Sequence, residues 1–203
     1  MRILIFFYKG FRKIKSLVKL PFYNFCAKIL LKFNGVQIPK KINVRGFLKI
    51  MVSRNGKFTL GNDCSINSGN NHNLIGRQQK TIFWVDGDLT IGNNVGISST
   101  AIICNHNIEI EDNVKIGGNT VIYDTDFHSL DVNLRKDKKE DKKNAKCEKV
   151  IIKKNVFIGA HSTILKGVTI GENSIIGSCS LVSKNIPNDE IWGGNPIRFI
   201  KKI

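Results

Sequence analysis

Residues 152–182 read IKKNVFIGAHSTILKGVTIGENSIIGSCSLV, in which Ile152, Ile158, Ile164, Ile170, Ile176 and Val182 stand six apart without a slip. Upstream, Val85, Ile91, Ile97 and Ile103 keep the same interval, and after one inserted residue Ile110, Ile116 and Ile122 resume it. Glycine often follows the aliphatic (Gly92, Gly117, Gly159, Gly171, Gly177), and Val or a small residue recurs three further on, as at Val95, Thr120, Val156 and Ser174. A period of six fits neither the 3.6 of a helix nor the alternation of a hairpin. It fits a short strand and a corner, so that three units close one triangular coil of about 18 residues with the aliphatic side chain inside. Corners this tight exclude bulk near the backbone, which accounts for the glycines and small residues. Stacked coils pair their strands in parallel at about 4.8 Å and bury a continuous aliphatic column that no single coil can bury alone. The expected fold is an all-β solenoid.

Outward from this core, the chain has 203 residues, 41% hydrophobic and 24% charged, which excludes a disordered chain and suffices for a core without disulfide or metal staples. Cys26, Cys64, Cys104, Cys147 and Cys179 are odd in number and form no Cys-x-x-Cys pair, so neither zinc nor redox chemistry is indicated and a reducing cytoplasm is expected. The net charge of +16 is uneven: 14 basic and no acidic residues precede Asp63, whereas the rest of the chain carries 18 basic against 16 acidic. Only the N-terminal third is strongly cationic, and no recognition motif accompanies the charge, so nucleic acid is not an expected partner.

The apolar run Ile3 to Tyr8 is broken by Lys9, too short to span a bilayer, and basic residues follow it where a signal cleavage site would stand. Ile3, Phe7, Phe11, Ile14 and Val18 keep helical spacing. A second helix is expected from Pro21, with Phe22, Phe25, Ile29 and Phe33 on one face and a stop at Gly35. Residues 1–35 thus form a basic amphipathic segment that either caps the open end of the coil or lies on an anionic membrane surface. The β-helix is expected over 36–187, with irregular first coils over 36–59, and a C-terminal capping segment over 188–203. Between Tyr123 and Val150 the hexads vanish, and all nine residues Arg135 to Lys143 are charged. This stretch is expected to leave the coil as an exposed loop, about 123–150, of the kind that carries function.

The hexads, together with Ile122-Tyr-Asp-Thr-Asp-Phe-His128, Asn155-Val-Phe-Ile-Gly-Ala160 and Ile191-Trp-Gly-Gly-Asn-Pro196 followed by Arg198, resemble the hexapeptide-repeat acyltransferases. The likeness is to their galactoside, maltose and polysaccharide O-acetyltransferase branch and covers roughly residues 60 to 203. It implies a left-handed parallel β-helix, a homotrimer, and acetyl-CoA as co-substrate, with no metal. It also implies that the catalytic base is His128, at the start of the loop. Acetyl transfer to a hydroxyl needs such a base, because the hydroxyl is a poor nucleophile until its proton is taken, and imidazole suits neutral pH. Asp124 and Asp126, just before it, can orient the imidazole, bind acceptor hydroxyls or merely turn the chain. Asn105 and His106 fall where relatives line the acceptor pocket. For the cofactor, the resemblance implies a backbone N–H from Ala160 to the thioester oxygen and packing by Phe157. Ser178, Ser183 and Lys184 would line its path, and Arg198 with Lys201 would face the phosphates.

The leading expectation is an O-acetyltransferase acting on a sugar in surface or capsular polysaccharide synthesis, in the cytoplasm or at the inner membrane surface. The alternative is N-acetylation of an amino sugar or nucleotide sugar. A non-catalytic β-helix scaffold would have no reason to set a histidine at the root of a long extruded loop. A metal centre would need clustered histidines, and His72, His106, His128 and His161 are far apart in the chain.

Overall fold

The computed structural model describes the chain except residues 74 and 76–78, and except the side chains of residues 12–17 within the first helix. Ile14, expected on a helix face, and the basic side chains of Arg12, Lys13 and Lys15 lie outside the described residues.

From Ile42 to Val182, short strands pass through three sheets in strict rotation. The first sheet takes the strands that begin at Ile42, Cys64, Gly96, Lys115, Phe157 and Ile175, and the second those at Lys49, Ile82, Ala101, Val121, Thr163 and Leu181. The third takes those at Lys57, Asp88, Asn107, Val150 and Thr169, and neighbours in all three are parallel. In-phase aliphatics therefore stack: Ile152 on Ile170, Ile158 on Ile176, Ile164 on Val182. All six are fully buried. Removing one such side chain, as in Ile164→Ala, falls in the class of core truncations that cost about 2–5 kcal/mol.

One expected core position is displaced. Ile102, between Phe83 and Ile122 in the second sheet, is buried, whereas Ile103 is partly exposed beside Trp84 and Tyr123. Cys104 is also fully buried, opposite Val85, so the residues on both sides of Ile103 face inward, and the aliphatic stacked on Ile122 is Ile102, five residues after Ile97. The buried free cysteine packs here as a small hydrophobe.

The corners explain the remaining pattern. A Cβ on Gly117 would lie 2.5 Å from the Ala160 nitrogen, and one on Gly159 2.5 Å from the Ser178 nitrogen, so the coils stack only where these residues lack one. At another corner Asn94, Asn113, Asn155 and Asn173 all take left-handed backbone, with φ of 54° to 62°. Their side chains form a ladder: Asn94 donates to Asn113 at 2.9 Å, Asn113 to Asn155 at 3.2 Å and Asn155 to Asn173 at 2.9 Å. Asparagine tolerates this conformation better than other non-glycine residues. Asn155→Ala is expected to lose about 1–2 kcal/mol, the left-handed penalty for alanine. Asn155→Gly should lose less, and urea unfolding of both variants measures the difference.

The N-terminus is one helix, α1 (Arg2–Phe33), and not two; Pro21 sits inside it. Proline removes one helical hydrogen bond, and the apolar spacing runs on across it unchanged. The chain stops as expected, with Asn34 as cap and Gly35 at φ 71°. The docked face differs from the expected one: Ala27 and Leu31 are buried against the first coils, while Phe22, Phe25, Ile29 and Phe33 are exposed. Asn24 accepts the Val44 N–H at 2.6 Å and Asn34 the Val52 N–H at 3.0 Å, so polar as well as apolar contacts fix this orientation. At the other end Glu190–Gly193 joins the first sheet in parallel and Arg198–Lys202 folds back on it antiparallel.

Candidate active site

The second sheet's strand Val121–Tyr123 ends where the long loop begins, and the third sheet resumes at Val150. The loop root is clamped: Asp126 N–H donates to the Lys146 carbonyl at 2.9 Å, Glu148 N–H to the Asp124 carbonyl at 2.9 Å, and Thr125 bridges Cys147 antiparallel. Phe127 then takes φ 61°, with its N–H on Thr125 Oγ1 and its ring against Tyr123, and this turn delivers His128 to the surface.

Within the loop the charged run forms a helix, α2 (Lys138–Asn144). Asp137 caps it, accepting the Lys139 and Glu140 N–H groups at 2.8 and 3.0 Å, so the orphan donors of the first turn are satisfied. This helix carries Asp141 back to the loop root. His128 Nδ1 lies 2.7 Å from Asp141 Oδ2, and Ser129 N–H donates to Asp141 Oδ1, also at 2.7 Å. An ionised carboxylate only accepts, so Nδ1 carries a proton, and in the neutral imidazole Nε2 is the nitrogen with the lone pair. The hydrogen bond from His128, with that from Ser129, holds the Asp141 carboxyl below the usual carboxylate range. The Asp141 side chain is 14% exposed and that of His128 68%, so the carboxylate is sheltered while the imidazole is open to the surface.

His128 and Asp141 line an open cleft of about 890 Å³ together with Asn105, Trp84, Asp86 and Lys142. Trp84 offers a half-exposed ring, and its Nε1–H donates to Asp86 Oδ2 at 3.3 Å. Asp124 does not orient the imidazole. It is fully buried and accepts the N–H groups of Asn105 and His106 at 2.7 and 2.8 Å, which fixes the corner that holds Asn105 in the cleft. Asp126 pairs instead with Lys166 at 3.2 Å, and His106 is exposed outside the cleft lining. Burial, with Asp124 alongside, drives the Cys104 thiol far above its ordinary pKa, so this cysteine is inert packing.

The residues assigned to the cofactor lie elsewhere on the prism. Phe157 is exposed on the first sheet between Lys115 and Ile175, lining a groove of about 310 Å³ with Ser65 and Asn67. Ala160 is buried at the next corner, and Ser178 is exposed. Ser183 and Lys184 follow the second sheet's last strand, and Lys184 Nζ sits 5.4 Å from the Trp192 ring centroid. Arg198 and Lys201 are exposed on the final strand, opposite Gly193 and Ile191. None of them shares the His128 cleft of a single chain. Asp141, Trp84 and Asp86 escaped the sequence reading. A signal for the first was available, since Asp137 with Glu140 three residues on is a helix-start pattern.

Residues 149–184 match the family described as Bacterial transferase hexapeptide (six repeats). A galactoside O-acetyltransferase of Lactococcus lactis is 38% identical over 119 residues, 55% of this chain and 55% of that enzyme. This chain thus spans about half the length of the relatives it matches in sequence. Among solved structures, a maltose O-acetyltransferase from Clostridium difficile is similar at 26% identity, TM-score 0.56, over 89% of this chain and 86% of that one. A variant of AntD, an N-acyltransferase from Bacillus cereus in complex with dTDP and coenzyme A, is similar at 27% identity, TM-score 0.62, over 82% of each chain.

Proposed function

We propose that this protein is an acetyl-CoA-dependent O-acetyltransferase that acetylates a sugar hydroxyl, with His128 as general base. The observation that carries the reading is the His128–Asp141 pair at 2.7 Å on the edge of a cleft floored by Trp84, Asp86 and Asn105. An oriented imidazole with a free Nε2 beside an aromatic face and hydroxyl-binding groups suits a saccharide acceptor. Nε2 takes the proton of the acceptor hydroxyl as its oxygen attacks the thioester carbonyl. The C–S bond then breaks, the acetyl ester remains on the sugar, and the imidazolium returns its proton to the coenzyme A sulfur.

The coil is read as a left-handed β-helix assembled into a homotrimer. Phe157, Ala160 and Ser178 flank one corner of the prism, while His128, Ser183 and Lys184 flank another, so a second subunit is needed to bring the two sets to one thioester. In that assembly the Ala160 N–H would stabilise the oxyanion, and Arg198 and Lys201 would meet the cofactor phosphates. Synthesis of a surface or capsular polysaccharide, in the cytoplasm or against the inner face of its membrane, is the role such a reaction fits. N-acylation of an amino sugar on a nucleotide is the second reading, favoured by the likeness to AntD. Acetyl-CoA consumption against a panel of sugars, nucleotide sugars and their amino forms is the test. Turnover with hydroxyl acceptors is the expected result; turnover confined to amino acceptors selects the second reading, and none with any acceptor rejects both.

A further inference from the structure

We propose that the outward face of α1 is a docking surface for an anionic lipid bilayer, with the helix lying in the plane of the interface. Because α1 is continuous through Pro21, its apolar residues form one series: Ile3, Phe7, Phe11, then Val18, Phe22, Phe25, Ile29 and Phe33. The steps of four and three recur with an eleven-residue period, close to a whole number of turns, so the stripe runs nearly straight along the helix. Every one of these side chains is exposed, from 39% at Ile29 to 86% at Phe33. The opposite side, Ala27 and Leu31, is the side held by the first coils, and the bonds from Val44 and Val52 to Asn24 and Asn34 fix the helix with its stripe outward. Phe47, itself 52% exposed, packs edge-on against Phe22 and Tyr23 and extends the apolar surface onto the prism.

Eight large apolar side chains exposed along one face of a single helix are not ordinary scattered exposure and call for a cover. Charge decides what the cover is. The helix carries eight Lys and Arg and no Asp or Glu. A second copy laid on the stripe would bring two such sets of cations together, whereas anionic headgroups neutralise them. No described helix is long and apolar enough to cross a membrane, so the fit is a helix lying on the surface, with aromatic rings in the acyl boundary and lysine stems reaching to the headgroups. The proposal is independent of the acyl-transfer reading.

Flotation of the full chain with vesicles tests it. Binding is expected to vesicles of equal phosphatidylglycerol and phosphatidylcholine, and to be weaker by about tenfold or more on pure phosphatidylcholine or in 1 M salt, where the Debye length falls to about 3 Å. The double variant Phe11→Ser, Phe25→Ser should lose about tenfold or more, since two rings no longer leave water, with unchanged thermal unfolding because both are surface groups. Val132→Ser, an exposed apolar residue of the loop, should bind as the parent does. Lys9→Glu with Lys19→Glu, in the exposed half of the helix, supplies a second variant with no change in apolar surface and should also weaken binding. No binding by the parent chain, equal binding to zwitterionic vesicles, or full binding by the Phe11, Phe25 variant would overturn the proposal. A change of oligomeric mass without loss of vesicle binding would assign the stripe to a second copy instead.

Discussion

His128→Ala is expected to lower the turnover number by about 10²–10⁴, the usual contribution of a positioned general base, while acetyl-CoA still binds. The expectation follows from separation. On a single chain the residues proposed for the cofactor lie outside the His128 cleft, so deleting the imidazole removes the proton acceptor and leaves the cofactor contacts in place. Arg198→Ala is the converse change. It deletes an exposed cation on the last strand, and its expected effect is a weaker hold on acetyl-CoA with turnover at saturation largely kept. Measuring turnover and cofactor affinity for both variants, on an acceptor identified by the panel, separates the two roles. Near-normal turnover in His128→Ala would refute the assignment of the base.

The hexads from Ile152 to Val182 made the core legible because each strand contributes one inward side chain and the corner is too short to vary. The same logic failed at Ile103, because an interval of six from Ile97 falls between Ile102 and Cys104, the two residues of that strand that face inward. Spacing also found the apolar stripe of α1 but could not say which side docks. A stripe of large side chains is the usual docked face of a helix. Here the small Ala27 and the adjacent Leu31 admit close approach to the coil, and the larger rings are left outside.

The histidine proposed as base was legible at the loop root from its residue type and position, but the partner it meets was not. Asp124 and Asp126 are near in sequence, yet one is consumed by the Asn105 and His106 amides and the other by Lys166. Asp141 is thirteen residues away and meets His128 only because α2 folds the charged run back on the root. A run of alternating charges reads as a solvated face until its cap is recognised.

With His128 as the proposed base, Asp141 is its positioning residue, and Asp141→Asn is expected to lower turnover by about 10–10²-fold, the range seen for hydrogen-bonding partners of ligand histidines. The amide has the size of the carboxylate, so a packing role alone would leave the rate nearly unchanged. What changes is the proton inventory: an amide NH₂ turned toward Nδ1 donates to it and favours the tautomer with Nε2 protonated, which cannot accept the hydroxyl proton. Acetyl-CoA affinity should stay at the parental value, and Asp141→Glu, which restores an acceptor-only group, should recover part of the rate. The carboxylate also ties the loop down through Ser129, and this has a pH signature. The Asp141 pKa is lowered by the bond from His128 first and from Ser129 second, so its contribution to the closed loop is complete above the ordinary carboxylate pKa and is lost as pH falls through the lowered value. Proteolysis confined to the segment Leu130 to Lys146 should accordingly stay slow from neutral pH down through the usual carboxylate range and accelerate only below it. In Asp141→Asn the carboxylate titration is gone, so any acceleration tied to it should disappear. A parental rate in Asp141→Asn together with an unchanged acid profile would show that the contact in the loop has no part in catalysis.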